Sequence, residues 1–217
     1  MFDRLSQMIT EKLITQKIIP DDQEELYSFG FNQGFTMILN IITTLAIGFL
    51  LGEVLNSILF LAAYIPLRNY AGGYHAPTPL KCYLSSIGIM SAVLIMIKLI
   101  DGLDPNFKTS MLGLGRNSTF VVAFLMGAFV CALYAPQEDK NKPLDDLEKK
   151  VYKRRTLIVL GVEAVLATLG YFWFRPAFEV ICFACLTESV MIMAGYTKAE
   201  REAEMAAKME AEGCEEE

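Results

Sequence analysis

The stretch YLSSIGIMSAVLIMIKLI, residues 83–100, carries one charge, Lys98, in eighteen positions. At a rise of about 1.5 Å per residue, a helix of that length reaches across most of the roughly 30 Å hydrocarbon core of a bilayer. Its few polar positions make no stripe wide enough to face water, so lipid is its natural solvent. Three similar stretches lie downstream, at 119–135, 156–173 and 177–196. Upstream, 35–51 is of full length, and 54–67 follows it after only Gly52 and Glu53. The expected fold is all-α, a polytopic integral membrane protein with about six apolar segments. Four of these are firm spans, and the remaining two form an N-terminal hairpin that either crosses or re-enters. On either path the chain returns to the side it left.

Composition supports this reading. The chain has 217 residues, of which 53% are hydrophobic and 20% charged. That is more apolar side chain than a soluble core of this size absorbs. A net charge of −6 argues against nucleic acid as a partner. The cysteines, Cys82, Cys131, Cys182, Cys185 and Cys214, follow no disulfide-framework spacing. Residues 1–20 lack the apolar core of a cleavable signal peptide. Phe2, Leu5, Ile9, Leu13 and Ile14 instead recur at helical spacing, as in an amphipathic helix at the membrane surface or docked on the protein.

Three regions follow: an amphipathic interfacial helix (1–20), a membrane domain (21–197) and an acidic tail (198–217) with eight glutamates against three basic residues. With the N-terminus inside and six crossings, fifteen of the nineteen lysines and arginines fall on the cytoplasmic side. The positive-inside rule therefore places the 68–82 loop and both termini in the cytoplasm.

That loop stands apart chemically. It reads Arg68-Asn-Tyr-Ala-Gly-Gly-Tyr-His75-Ala-Pro-Thr-Pro-Leu-Lys-Cys82 and holds the only histidine in the chain. A thiol with a pKa of about 8.5 is a weak nucleophile at neutral pH until a base favours the thiolate. An imidazole does so, and then returns a proton to a leaving amine. On an unbroken helix the two side chains would stand about 10.5 Å apart along the axis. Pro77 and Pro79 interrupt any helix there, so a loop can fold His75 back toward Cys82. Gly72 and Gly73 permit close backbone approach to a peptide or an oxyanion. If the next span begins near Leu80, Cys82 falls in its first turn, where the helix dipole favours an anion. Taken singly, His75 also reads as an interfacial side chain and Cys82 as a packing residue, so both readings stand on the residues alone.

Arg68-x-x-Ala71-Gly72-Gly73-Tyr74-His75-Ala76, then five residues, Cys82 and Ser85, resembles the signature of the accessory gene regulator B family. Members are membrane-embedded cysteine endopeptidases of Gram-positive quorum sensing. The resemblance implies Cys82 as nucleophile and His75 as its partner, with Arg68 and Gly73 at positions the family also needs. It implies a short amphipathic precursor peptide as substrate, cut near its C-terminal end through a Cys82 thioester. A cysteine or serine of the bound peptide then closes a thiolactone or lactone. No cofactor or metal is expected.

Arg68 has two further readings, binding a precursor carboxylate or oxyanion and anchoring a helix end at phosphates. Ser85 and Ser86, one helical turn past Cys82, are candidate hydrogen-bond supports. Glu163 and Glu188 lie within spans, where a carboxylate seldom faces lipid. Each would line an interior cavity, pair with Arg68 or Lys81, or bond between helices. Cys182-x-x-Cys185 reads as small-residue packing inside the last span. A homodimer is compatible with so thin a bundle. The competing reading is a small peptide exporter or channel lined by Asn40, Asn56, Glu163 and Glu188. A weaker one is a scaffold subunit docking through the acidic tail.

Overall fold

The computed structural model describes residues 2–74, 76, 78–102, 116–138 and 144–213. Among these residues seven α-helices follow in order: α1 (Asp3–Thr15), α2 (Glu24–Leu51), α3 (Val54–Ala71), α4 (Pro79–Gly102), α5 (Arg116–Tyr134), α6 (Asp146–Trp173) and α7 (Arg175–Gly213). Among the described residues there is no β-strand, only an isolated bridge between Gly72 and Gln137. Helices α2, α4, α5, α6 and α7 are long and apolar enough to cross a membrane. The chain is an all-α polytopic membrane protein. The shorter partner of the N-terminal hairpin, α3, has 18 residues, or about 27 Å of helix.

The chain divides into two compact units, Met1–Val54 with Ala76–Ile95, and Leu55–His75 with Met96–Glu217. In the first, α1 packs on α2. Ser6 and Thr10, one turn apart, are its buried positions, and small side chains there let the helices approach. Their hydroxyls bond back to carbonyls of Phe2, Asp3 and Ser6, so no polar group is stranded. The Asn32 side chain on α2 closes the helix start by donating to Asp3 and accepting from the Phe2 N–H. Leu5 and Met8 stay exposed. Gly52, at φ +75°, ends α2 in a left-handed cap, with its N–H on the Phe49 carbonyl. Helix α4 meets α2 through Thr43 and Tyr83, whose hydroxyls lie 2.9 Å apart, and through the Thr44 hydroxyl on the Met90 sulfur.

The second unit is built around α7, against which α5 and α6 pack. Leu67 and Ala71 of α3, Cys131 and Ala135 of α5, Leu160 of α6, and Cys185 and Ile192 of α7 form one buried cluster. In lipid such packing rests on close contact rather than on expulsion of water, which favours small residues. Cys182 and Cys185 are free and buried in this packing, Cys185 with its thiol toward the Phe124 carbonyl. Lys153, from the basic loop and start of α6, donates to carbonyls at the end of α5, including Ala135 at 2.8 Å. Asp145 and Glu148 form a capping box at the start of α6. Helix α7 runs 39 residues without interruption, through the sequence boundary near 197 and into the acidic tail. Ala, Glu, Lys and Met dominate that tail, and all are strong helix formers.

Candidate functional site

The loop between α3 and α4 begins where α3 ends at Ala71. Gly72 and Gly73 adopt φ of +78° and +115°, a region closed to most side chains. Space reinforces the demand. A Cβ on Gly72 would sit 2.2 Å from the Gln137 carbonyl oxygen, and one on Gly73 2.2 Å from Arg68 Nη1.

Three groups hold this turn within its own unit. Gln137, between α5 and α6, donates its N–H to the Ala71 carbonyl at 2.9 Å. Met191 of α7 accepts the Tyr74 N–H at 2.8 Å. Arg68, on the last turn of α3, donates from Nη1 to the Gly72 carbonyl and from Nη2 to the Tyr74 carbonyl. A planar guanidinium suits such a two-carbonyl grip, because its donors point in fixed directions. Gly195, one turn beyond Met191, lets α7 lie directly under Gly73 and Tyr74; a Cβ there would meet both at 2.9 Å. Lys198 then stands 5.6 Å from the centre of the Tyr74 ring, a cation–π contact.

Behind Arg68 lies Glu188 of α7, wholly buried, with its Oε1 3.6 Å from Arg68 Nη1. Of the two pairings open in the sequence, Arg68 or Lys81, the structure shows Arg68. Tyr64, one turn earlier on α3, flanks the same carboxyl. Glu163 projects from the inward stripe of α6, with Thr156, Leu160, Ala167 and Gly170, and is an electrostatic neighbour of Glu188. It is only 4% exposed, and among the described residues neither of its carboxyl oxygens has a hydrogen-bond partner.

Cys82 lies in the first turn of α4, as a span beginning near Leu80 requires. Its N–H donates to the Thr78 carbonyl at 3.0 Å, and the Thr78 hydroxyl accepts from the Lys81 N–H at 3.3 Å, an N-cap arrangement. The Ser85 hydroxyl donates to the Cys82 carbonyl at 2.9 Å, so it braces the turn through its backbone. Cys82 is half-buried, whereas Cys131, Cys182 and Cys185 are buried. His75 and Pro77 lie outside the described residues, as does Cys214. The structure thus brings together Arg68, Gly72, Gly73 and Glu188, and sets Cys82 with Ser85.

Gln137, Met191 and Gly195 were not singled out from the sequence. Gln137 and Met191 act through their backbones, which leave no trace in side-chain pattern. Gly195 shows only as a small residue near a span end. No group of three or more potential metal ligands occurs among the described residues.

The family model for accessory gene regulator B matches residues 6–192. Over 171 residues the chain is 28% identical to a putative AgrB-like protein of Clostridium perfringens (strain SM101 / Type A), covering 78% of this chain and 77% of that one. It is 25% identical to Protein FsrB of Enterococcus faecalis (strain ATCC 47077 / OG1RF), across 73% of this chain and 60% of that one. It is 23% identical to accessory gene regulator protein B of Staphylococcus epidermidis, across 60% and 59%. No solved structure matches.

Proposed function

Because the chain belongs to the accessory gene regulator B family, which serves autoinducer processing in quorum sensing, we propose that it is a membrane cysteine endopeptidase with peptide-cyclase activity. Cys82 is its nucleophile and His75 its acid–base partner. The observation that carries this reading is the setting of Cys82. It is the one described cysteine that is not buried, and it sits in a capped first helical turn, seven residues after the histidine of the family motif.

The chemistry proceeds in two exchanges. The Cys82 thiolate attacks a backbone carbonyl of a short amphipathic precursor, and the C–N bond breaks. The proton held on His75 passes to the leaving amine, and the N-terminal part of the peptide remains on Cys82 as a thioester. A cysteine thiol within that part then attacks the thioester carbonyl, gives up its proton to the imidazole and releases the Cys82 thiolate. The product is a thiolactone; a serine would give a lactone. One thioester replaces another, so closure needs no ATP, and a site shielded from water favours the ring over hydrolysis.

The turn at Gly72 and Gly73, into which Arg68 donates, immediately precedes His75 in the chain. The loop and both termini face the cytoplasm, consistent with the distribution of lysine and arginine. No cofactor takes part, and a second copy of the chain is compatible with this chemistry.

The test is co-expression with a short peptide encoded nearby that has an internal cysteine and an acidic C-terminal part. Mass spectrometry should show release of the C-terminal fragment and a retained part lighter by one water than the linear acid. Both should vanish with Cys82→Ala. An intact precursor with the wild-type chain, while transport of the same peptide continues, would favour the exporter reading.

A further inference from the structure

Glu188 has no task in the two exchanges above, yet it is 0% exposed in the middle of α7. A buried carboxylate is costly in a helix bundle, and an apolar residue of similar size would pack there at no such cost. As a stabilising device the pair is also a poor one: at 3.6 Å the Arg68–Glu188 contact is longer than an ordinary hydrogen bond. Its geometry has a different consequence. The Arg68 nitrogen facing Glu188, Nη1, also donates to Gly72, while Nη2 donates to Tyr74. A guanidinium backed by a fixed carboxyl group has little room to turn its fork away from those carbonyls.

The same stripe of α7 supplies further support. Glu188, Met191, Gly195 and Lys198 recur at helical spacing, and each meets Arg68 or the 73–74 turn. Tyr74 is the last residue of this held turn, and His75 is bonded to it directly.

We propose that Glu188 is a positioning residue: by orienting Arg68 it fixes the carbonyls of Gly72 and Tyr74 and thereby the backbone from which His75 continues. This rests on reading His75 and Cys82 as a working pair.

The experiment uses the full chain in detergent and the rate of Cys82 alkylation by iodoacetamide at neutral pH, read by peptide mapping, with no precursor needed. His75→Ala measures what the imidazole contributes. Glu188→Gln, a near-isostere, should slow alkylation about tenfold, to the His75→Ala rate. Adding it to His75→Ala should slow the reaction no further. Glu188→Asp should recover part of the loss. Arg68→Lys keeps the charge but not the fork, so it should reproduce the slow rate should Glu188→Gln fail to fold. Wild-type alkylation in folded Glu188→Gln overturns the proposal, as does full additivity in the double variant. If His75→Ala itself alkylates at the wild-type rate, the pairing of His75 with Cys82 is what fails, and the positioning role falls with it.

Discussion

Cys82 and Tyr74 are eight residues apart in the chain, yet their surroundings are held by different kinds of contact. The turn carrying Cys82 is local: Thr78 caps it and Ser85 braces it, all within one helix. The turn ending at Tyr74 is held from afar, by Gln137 beyond α5 and by Glu188, Met191 and Gly195 on α7. A local cap lets a reactive side chain stand at a helix end with few neighbours to crowd a substrate. Two positive φ angles keep this turn from continuing the helical ladder past the Gly72 N–H on the Arg68 carbonyl, so much of its order is imported from distant elements. The setting of Cys82 should therefore tolerate substitution around it, whereas the turn ahead of position 75 should be brittle.

Substitutions can break or sharpen that contrast. The largest effect is expected at Cys82, the proposed nucleophile: Cys82→Ala should reduce precursor cleavage by about 10⁴-fold or more, measured by fragment release. Next come the imported supports. Gly73→Ala places a methyl group into the Arg68 guanidinium at a φ that alanine resists. Displacing the turn by about 1 Å should cost about 100-fold in turnover. Gly195→Ala meets the same turn from below, at 2.9 Å, and should lower turnover less than Gly73→Ala. Thr78→Ala removes one cap worth about 1 kcal/mol, so turnover should fall only about fivefold and faster amide exchange should be confined to the start of α4. If Thr78→Ala proved more damaging than Gly73→Ala, the contrast would be reversed.

The smallest effect concerns pH. The Lys149 ammonium and the Leu144 N–H hold the Glu138 carboxyl, next to Gln137, below the ordinary value of 4.5. This pair contributes stability above that value and loses it as pH falls through the depressed one. Both side chains are close to half exposed, so the loss should be slight. Thermal unfolding of wild type and Glu138→Gln should differ at neutral pH and converge in acid.

Much of the fold was legible because lipid imposes a crude rule: an apolar run of sufficient length becomes a helix. The helix ends were less so. Helix α2 begins at Glu24, ahead of the apolar run at 35, since the segment between, despite Gly30 and Gly34, has no proline to break a helix. Helix α7 passes into the tail for the same reason. At the site, Arg68, Gly72, Gly73 and Cys82 stood out through residue type and spacing. That Arg68 meets Glu188 was only one of two options, because residues 120 positions apart meet through helix packing that no local pattern encodes. The carbonyl of Met191 and the N–H of Gln137 were invisible for a simpler reason: every residue has them.

The most direct test of the account is to look for the peptide on Cys82. The full chain is incubated with a precursor whose internal cysteine is replaced by alanine, so that ring closure cannot discharge the enzyme, and is then quenched in acid for intact-mass analysis. The account predicts a chain heavier by the N-terminal part of the peptide, mapped to Cys82 and removed by neutral hydroxylamine. Release of the C-terminal fragment by the Cys82→Ala chain, with no adduct at any time point on the wild type, would contradict it.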